Sequence, residues 1–375
     1  MADVWVAGAG MTRIGKRAEA LPDLMGEAAH AALAAAAIEA PDAIVVATMN
    51  PEEFLGDGNF ASHVATHMGF AEVPSLRVET ATSSGAAAVY TGFAQVAAGL
   101  HRRVLVVGGE KMTHLSTPRV SEFIGRSIDP YERSYGATMP ALAGLITRAL
   151  LARHADGARE IAQVAVKNHA NAVRNPYAHF PTAVTLDEVM ASRMVADPLR
   201  LLHCCPISDG AAAVVLTAET TAVRVAGIGQ GTDTLAVRHR RDLTSFRATQ
   251  AAARAAFAMA GFGPARVDFA EIHDAFAPFE LISLEDTGLV PPGKAGRATL
   301  DGETALDGRL PINPSGGLKA RGHPLAATGL AQIVECVWQL TGRAEGRQLD
   351  GRIALAHSIG GLATNNWISI LESRG

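Results

Sequence analysis

Pro311–Ala326 reads PINPSGGLKARGHPLA, a turn-rich stretch that runs into an apolar segment, Leu325–Leu340, expected to be helical. Its glycines at 316, 317 and 322 have no Cβ, so the backbone there can approach a ligand closely. Pro324 suits a first helical turn, where its missing N–H breaks no hydrogen bond. His323 is then expected at a helix N-terminus, where the dipole and free amides favour negative charge on a ligand.

At 375 residues the chain has the length of two to three domain-sized units and can bury a large core. Hydrophobic residues make up 48% and charged residues 19%, a globular composition rather than a disordered one. A net charge of −4 offers no basic surface for nucleic acid or an acidic membrane. The opening MADVWVAGAGMTRIGKR lacks the leading positive charge of a signal peptide, and LESRG carries no address tag. No run approaches the roughly 18 apolar residues of a membrane span. The three cysteines, Cys204, Cys205 and Cys336, make no disulfide framework, and Cys336 reads as a core residue. No His or Cys spacing suggests a metal site. A soluble cytoplasmic protein is expected.

Short apolar runs alternate with Ala-rich helical segments. Strands are expected at Val4–Ala9, Ala43–Met49, Ser75–Glu79, Val104–Gly108, Ala211–Thr217, Val223–Gly227, Phe269–His273, Arg352–Ser358 and Asn366–Leu371. Helices are expected at Leu21–Ala40, within Thr80–Leu100, and at Ala137–His154, Ile161–Val173, Thr244–Ala260 and Phe279–Leu289. Val104–Gly108 is apolar throughout and reads as a central parallel strand. Glu110–Tyr135 has no clean period and reads as a surface excursion. Gly8-Ala9-Gly10 hints at a dinucleotide turn, but the third glycine of that fingerprint is missing. Asp209-Gly210 reads as a turn.

Thr91–Val96 (TGFAQV) and Thr328–Ile333 (TGLAQI) suggest an internal repeat that sets Gly85 against Gly322 and Ala86 against His323. The expected halves are residues 1–220, with an inserted loop region at about 110–200, and residues 221–375. The alternation of elements implies an α/β fold with parallel sheets covered by helices.

Seven segments in order carry a family resemblance: VETATSSGAAAV (Val78–Val89), Tyr135–His154, VAVKNHANAVRNPYAHF (Val164–Phe180), CCPISDGAAAVVL (Cys204–Leu216), EIHDAF (Glu271–Phe276), NPSGGLKARGHPLAATG (Asn313–Gly329) and HSIGG (His357–Gly361). Together they resemble the thiolase superfamily, in particular its sterol-carrier-protein-x type. The resemblance implies a five-layered α/β/α/β/α fold of two similar halves, a homodimer or larger assembly, and an acyl-CoA substrate, with no cofactor beyond the coenzyme A of that substrate. It implies catalytic positions at Thr82, His273, His323, His357 and Ser358. Oxyanion donors are implied at His273, at His323 and in the backbone amides of Thr82 and Gly360. The loop residues Asn313, Ser315, Gly316 and Gly317 are expected to contact substrate.

Two departures bear on the chemistry. The family's nucleophilic cysteine is matched by Thr82, whose hydroxyl has no anionic form near neutral pH and needs a strong adjacent base. The second cysteine, in H-D-C-F or C-x-G, is matched by Ala275 or Ser358. The covalent half of the machinery is lost while the oxyanion donors remain. Three readings stay open: an acyltransferase using Thr82 or Ser83, a cysteine-independent aldol or retro-aldol enzyme, and a non-catalytic subunit that supports an active partner. Thiolase-like retro-aldolases that lack the cysteine act with a small OB-fold, CoA-binding partner, so such a partner is a further expectation.

Overall fold

The computed structural model describes residues 2–154 and 156–374. Each expected apolar run forms a strand: β1 (Trp5–Met11), β2 (Ala43–Ala47), β3 (Ser75–Val78), β4 (Arg103–Glu110), β5 (Gly210–Thr217), β6 (Val223–Thr232), β7 (Phe269–Glu271), β8 (Ile353–Gly360) and β9 (Asn365–Ser373). The principal helices are α1 (Leu21–Ala36), α2 (Ser84–Ala97), α3 (Thr117–Gly125), α4 (Met139–Leu151), α5 (Gly157–Ala172), α6 (Arg247–Ala260), α7 (Ala277–Asp286), the short α8 (Gly317–Ala320) and α9 (Ala327–Leu340).

The nine strands form one sheet in the order β3-β2-β4-β5-β1-β6-β9-β8-β7. It is mixed, not parallel as expected. β2 pairs in parallel with β3 and β4, and β7 with β8. The pairs β1–β5, β4–β5, β1–β6, β6–β9 and β8–β9 are antiparallel. Every residue of β2, β5 and β8 is buried. An unbroken apolar run thus reports burial on both faces, and it does not report strand direction.

Outward from the centre, β1-β5-β4-β2 and β6-β9-β8-β7 carry the same pairing senses, so the two halves repeat one topology. The short register Trp5–Arg224 and Val6–Val223 joins them along the sheet, with Val225 N–H donating to Val4 O beside it. α1 covers β1, β4 and β5 on one outer face, and α6 covers β6 and β9 on the other. α2 and α9 fill the middle between the halves, which completes the five layers.

Small residues set these layer spacings. A Cβ on Gly8 would lie 2.1 Å from Ala32 O, and one on Gly229 would lie 2.1 Å from Ala252 O. Gly8-Ala9-Gly10 therefore serves the approach of α1 to β1, not a dinucleotide. At the centre a Cβ on Gly85 would lie 2.2 Å from Ala326 O, and one on Gly329 would lie 2.6 Å from Ala86 N. The TGFAQV/TGLAQI register does not align the helix starts, which fall at Ser84 and Ala327. The repeat lies in the elements rather than in that pairing of residues.

Candidate active site

The turn between β3 and α2 is wound tightly. Ala81 sits at φ 55°, left-handed for a residue with a Cβ, and its N–H is bonded by the Glu79 carboxylate. Such backbone costs of order 1–3 kcal/mol and persists only where its surroundings hold it. Here the Ser83 hydroxyl donates to Thr80 O at 2.8 Å and the Ser84 hydroxyl to Ala81 O at 2.6 Å. The turn delivers Thr82 to the end of β8, where its hydroxyl donates to Ile359 O at 2.7 Å.

β8 outruns its neighbour. β7 pairs with it only through Ala354–Ala356, so the edge of Ile359 is open on that side. Two side chains occupy that edge: Ile359 O takes the Thr82 hydroxyl, and Ile359 N–H donates to His273 Nδ1 at 3.2 Å. Strand alternation then turns the next amide, that of Gly360, toward Asn365 on β9.

The stretch 311–322 forms the frame of the site. Asn313 N–H donates to Ala270 O, and its side-chain oxygen takes the N–H of Ile272 at 2.7 Å, next to His273. Ser315 bonds Glu271 through both its N–H and its hydroxyl, and the fully buried Arg321 donates to the same carboxylate. Asp274 accepts from Leu318 N at 2.6 Å and from Lys319 N at 3.3 Å. Gly317 makes this possible: its φ is 60°, and a Cβ there would lie 2.5 Å from the Asp274 carboxylate. Asn313, Ser315, Gly316 and Gly317 are all buried, and none of them lines the cavity described next. Their polar groups bond the two histidine-bearing loops to each other rather than facing the cavity.

His323 closes the frame. It is not at a helix N-terminus as expected, because Pro324–Ala326 form a separate turn and α9 begins at Ala327. Its backbone N–H donates to Ser208 Oγ at 3.2 Å, and its Nδ1 lies 2.6 Å from Thr328 Oγ1. The His273 and His323 rings meet edge to face, with centroids 5.2 Å apart and planes at 86°.

Thr82, His273, His323 and Ala275 line one cleft of about 900 Å³, its open mouth included. Gly361 and Ile359 line it from β8 and the loop that follows, whereas Ser358 and Gly360 do not. His357 lies apart from it: the ring is buried against α6, 3.2 Å from Thr249 Oγ1. Residues of β8 alternate between faces, so His357 shares the α6 side with Leu355 while Ser358 points to the central layer. The region 110–135, expected as a surface excursion, is largely exposed yet ordered. It contains α3, whose Val120, Ser121 and Ile124 form a cavity wall. Sequence reading also missed Cys204 and Cys205, which line the wall beside Ala275 and Phe276. Their adjacency to ISDGAAA was the available signal. Asp209 is no exposed turn: it is fully buried and accepts from Lys111, Met112, Thr113 and Arg17.

Electrostatics assign the protons. Burial, then the Arg321 charge, pushes His323 down to about 3. Burial, then the neighbouring rings of His323 and His357 and the Arg321 charge, holds His273 well below its ordinary range. Both are neutral imidazoles at physiological pH. His273 Nδ1 accepts an amide proton, so its own proton is on Nε2. His323 Nδ1 is likewise occupied, by Thr328 Oγ1, which has no other hydrogen-bond partner among the described residues; donation by that hydroxyl leaves the ring proton on Nε2. Burial pushes the Cys204 thiol up to about 11 and the Cys205 thiol higher, so neither is a ready nucleophile. Among the described residues no group of three or more His, Cys, Asp or Glu is arranged to hold a metal ion, and no helix is long and apolar enough to cross a membrane.

This fold and site have known counterparts. Residues 4–220 match the family described as Thiolase, N-terminal domain, and residues 229–373 match Thiolase C-terminal domain-like. The chain belongs to the thiolase superfamily, with sterol-carrier-protein-2 homologues among its relatives. It is 43% identical to an Acetyl-CoA acetyltransferase of Methanothermobacter thermautotrophicus, over 96% of this chain and 97% of that one. It is 34% identical to Sterol carrier protein 2 of Oryctolagus cuniculus, over 95% of this chain and 70% of that one. Among solved structures, an Ltp2-ChsH2(DUF35) aldolase shares the fold with a TM-score of 0.84 at 24% identity, covering 99% of this chain and 98% of that one.

Proposed function

We propose that this chain makes or breaks a carbon–carbon bond beside a CoA thioester carbonyl without forming an acyl-enzyme, as a thiolase-like aldolase or retro-aldolase. One observation carries the reading: two neutral imidazoles have their Nδ1 atoms occupied, next to a threonine whose hydroxyl is bonded to a carbonyl. Acyl transfer needs an activated nucleophile, and neither histidine offers Thr82 a free basic nitrogen. Enolate chemistry needs donors, and two Nε2–H groups on buried rings lining the cleft supply them.

In the retro-aldol direction, the hydroxyl of a β-hydroxyacyl-CoA loses its proton to water or to a base supplied by a partner. The Cα–Cβ bond breaks as the new carbonyl forms. The electron pair passes into the thioester enolate, whose oxygen accepts from His273 and His323. Protonation at Cα then releases the shorter acyl-CoA. A small OB-fold, CoA-binding partner belongs to this proposal, in line with the DUF35 component named in the aldolase neighbour. Acyl transfer through Thr82 is the second reading, favoured by the acetyltransferase names of relatives.

The test is to incubate the protein with β-hydroxyacyl-CoA and assay the released carbonyl compound, and to follow α-proton exchange of acyl-CoA in D₂O. Exchange that His323→Ala abolishes is expected. A stable acyl adduct on Thr82 in intact-protein mass spectra, with no exchange, would overturn the proposal in favour of acyl transfer.

A further inference from the structure

The cleft beyond the two histidines is predominantly apolar. Val120 and Ile124 of α3, Met139 at the start of α4, Phe276 and Phe279 around the start of α7, and Leu362 after β8 form its walls. No Asp, Glu, Lys or Arg is among the lining residues, and the polar ones gather at the histidine end or are single hydroxyls and thiols. α3 and α4 belong to the region between β4 and β5, so this wall is an addition to the repeated framework.

From these walls we infer that the acyl group held here is uncharged, apolar and larger than acetyl: a medium-length alkyl chain or a ring. The inference rests on the thioester reading above and adds the acyl class to it. Each methylene moved from water onto these walls tightens binding roughly fourfold. A terminal carboxylate would meet no cation on the lining itself, the nearby Lys319 lying behind Cys204 and Cys205 and outside the wall, which opposes binding. Acetyl leaves most of the wall uncovered, and succinyl brings an unpaired charge.

The experiment measures dissociation constants of the intact protein for acetyl-, hexanoyl-, phenylacetyl- and succinyl-CoA, and for the same four thioesters of N-acetylcysteamine, which lack the nucleotide. Hexanoyl and phenylacetyl esters are expected to bind at least about tenfold more tightly than acetyl in both series, with succinyl no tighter than acetyl. Ile124 is only partly buried, so Ile124→Lys should fold, cut the hexanoyl preference and raise succinyl binding. Equal binding of all four CoA esters would overturn the acyl inference and leave the thioester reading standing. Chain-length preference in the N-acetylcysteamine series alone would keep the acyl inference and overturn the CoA reading. Absence of binding in both series would overturn both.

Discussion

Thr328 Oγ1 lies 2.6 Å from His323 Nδ1, and among the described residues that ring nitrogen is its only hydrogen-bond partner. The second residue of α9 thus fixes which nitrogen of His323 bears the proton. Thr328→Val keeps the shape and removes the donor, which frees the ring to turn or to adopt the other tautomer. Activity should fall roughly 10²–10³-fold, the cost of misplacing one oxyanion donor. Thr328→Ser should restore most of it. Nitrogen chemical shifts of His323 distinguish this from simple loss of fold: Nε2 protonation should be clean in the wild type and in Thr328→Ser, and mixed in Thr328→Val.

Thr82 should matter little as a side chain. Its hydroxyl positions nothing but Ile359 O, so Thr82→Ala is expected to cost less than about tenfold, against the larger loss in His323→Ala. Thr82→Cys tests the same point from the other side. The residue sits just before α2, where a helix start favours a thiolate, so that variant should become acylated by acetyl-CoA while the wild type does not. Intact-protein mass spectrometry reads both results, and an acylated wild type would refute the enolate proposal.

Stability should depend on pH through two opposed sets of buried groups. His323 and His357 lie at about 3 in the fold, each held down first by burial, against about 6.5 unfolded. In that window the unfolded chain takes up protons that the fold refuses. Their stabilisation is present above about 6.5 and lost as pH falls toward about 3, by up to ~1.4 kcal/mol per pH unit for each ring. Glu110 and Glu271, pushed up to about 7 first by burial, act the other way: their stabilisation is complete below about 4.5 and lost as pH rises through about 7. Denaturation curves should therefore show opposing slopes between about pH 4.5 and 6.5, and net loss of stability below. His357→Gln should flatten the acidic limb, since His357 lies outside the cavity and its removal leaves the donors in place.

Much of this was legible in the sequence because burial leaves a strong trace. The strand-forming runs are apolar throughout, and EIHDAF, NPSGG and GHP carried the positions of His273 and His323. What was hidden is direction and role. An apolar strand such as Ala211–Thr217 reads the same whether parallel or antiparallel. Asn313, Ser315 and Gly317 look like ligand contacts because buried frame loops and binding loops use the same polar and glycine-rich residues. His357 and Ser358 adjoin Ile359, yet neither reaches the cavity: Ser358 is on the opposite face of β8, and His357, on the same face as Ile359 but two residues further back, is covered by α6 at Thr249. The α3 wall was missed because its apolar face, Val120, Phe123 and Ile124, spans little more than one turn.

The crossing of α2 and α9 gives the last prediction. Gly85 lies in a helix, where alanine is normally favoured by about 1 kcal/mol. Here a Cβ would lie 2.2 Å from Ala326 O, a backbone atom that cannot swing aside, so the two central helices would have to separate. Overpacking of this kind costs typically 1–3 kcal/mol, enough to cancel and exceed the propensity gain. Gly85→Ala should therefore lower stability by up to roughly 2 kcal/mol in chemical denaturation. Because Thr82 and His323 sit just before these two helices, activity should fall more steeply than stability. Gly99→Ala is no control, since Gly99 is left-handed at φ 72°; Gly346→Ala, with open space around its Cβ and no positive φ, is expected to change little. Equal stability of wild type and Gly85→Ala would show that the central layer is looser than this packing requires.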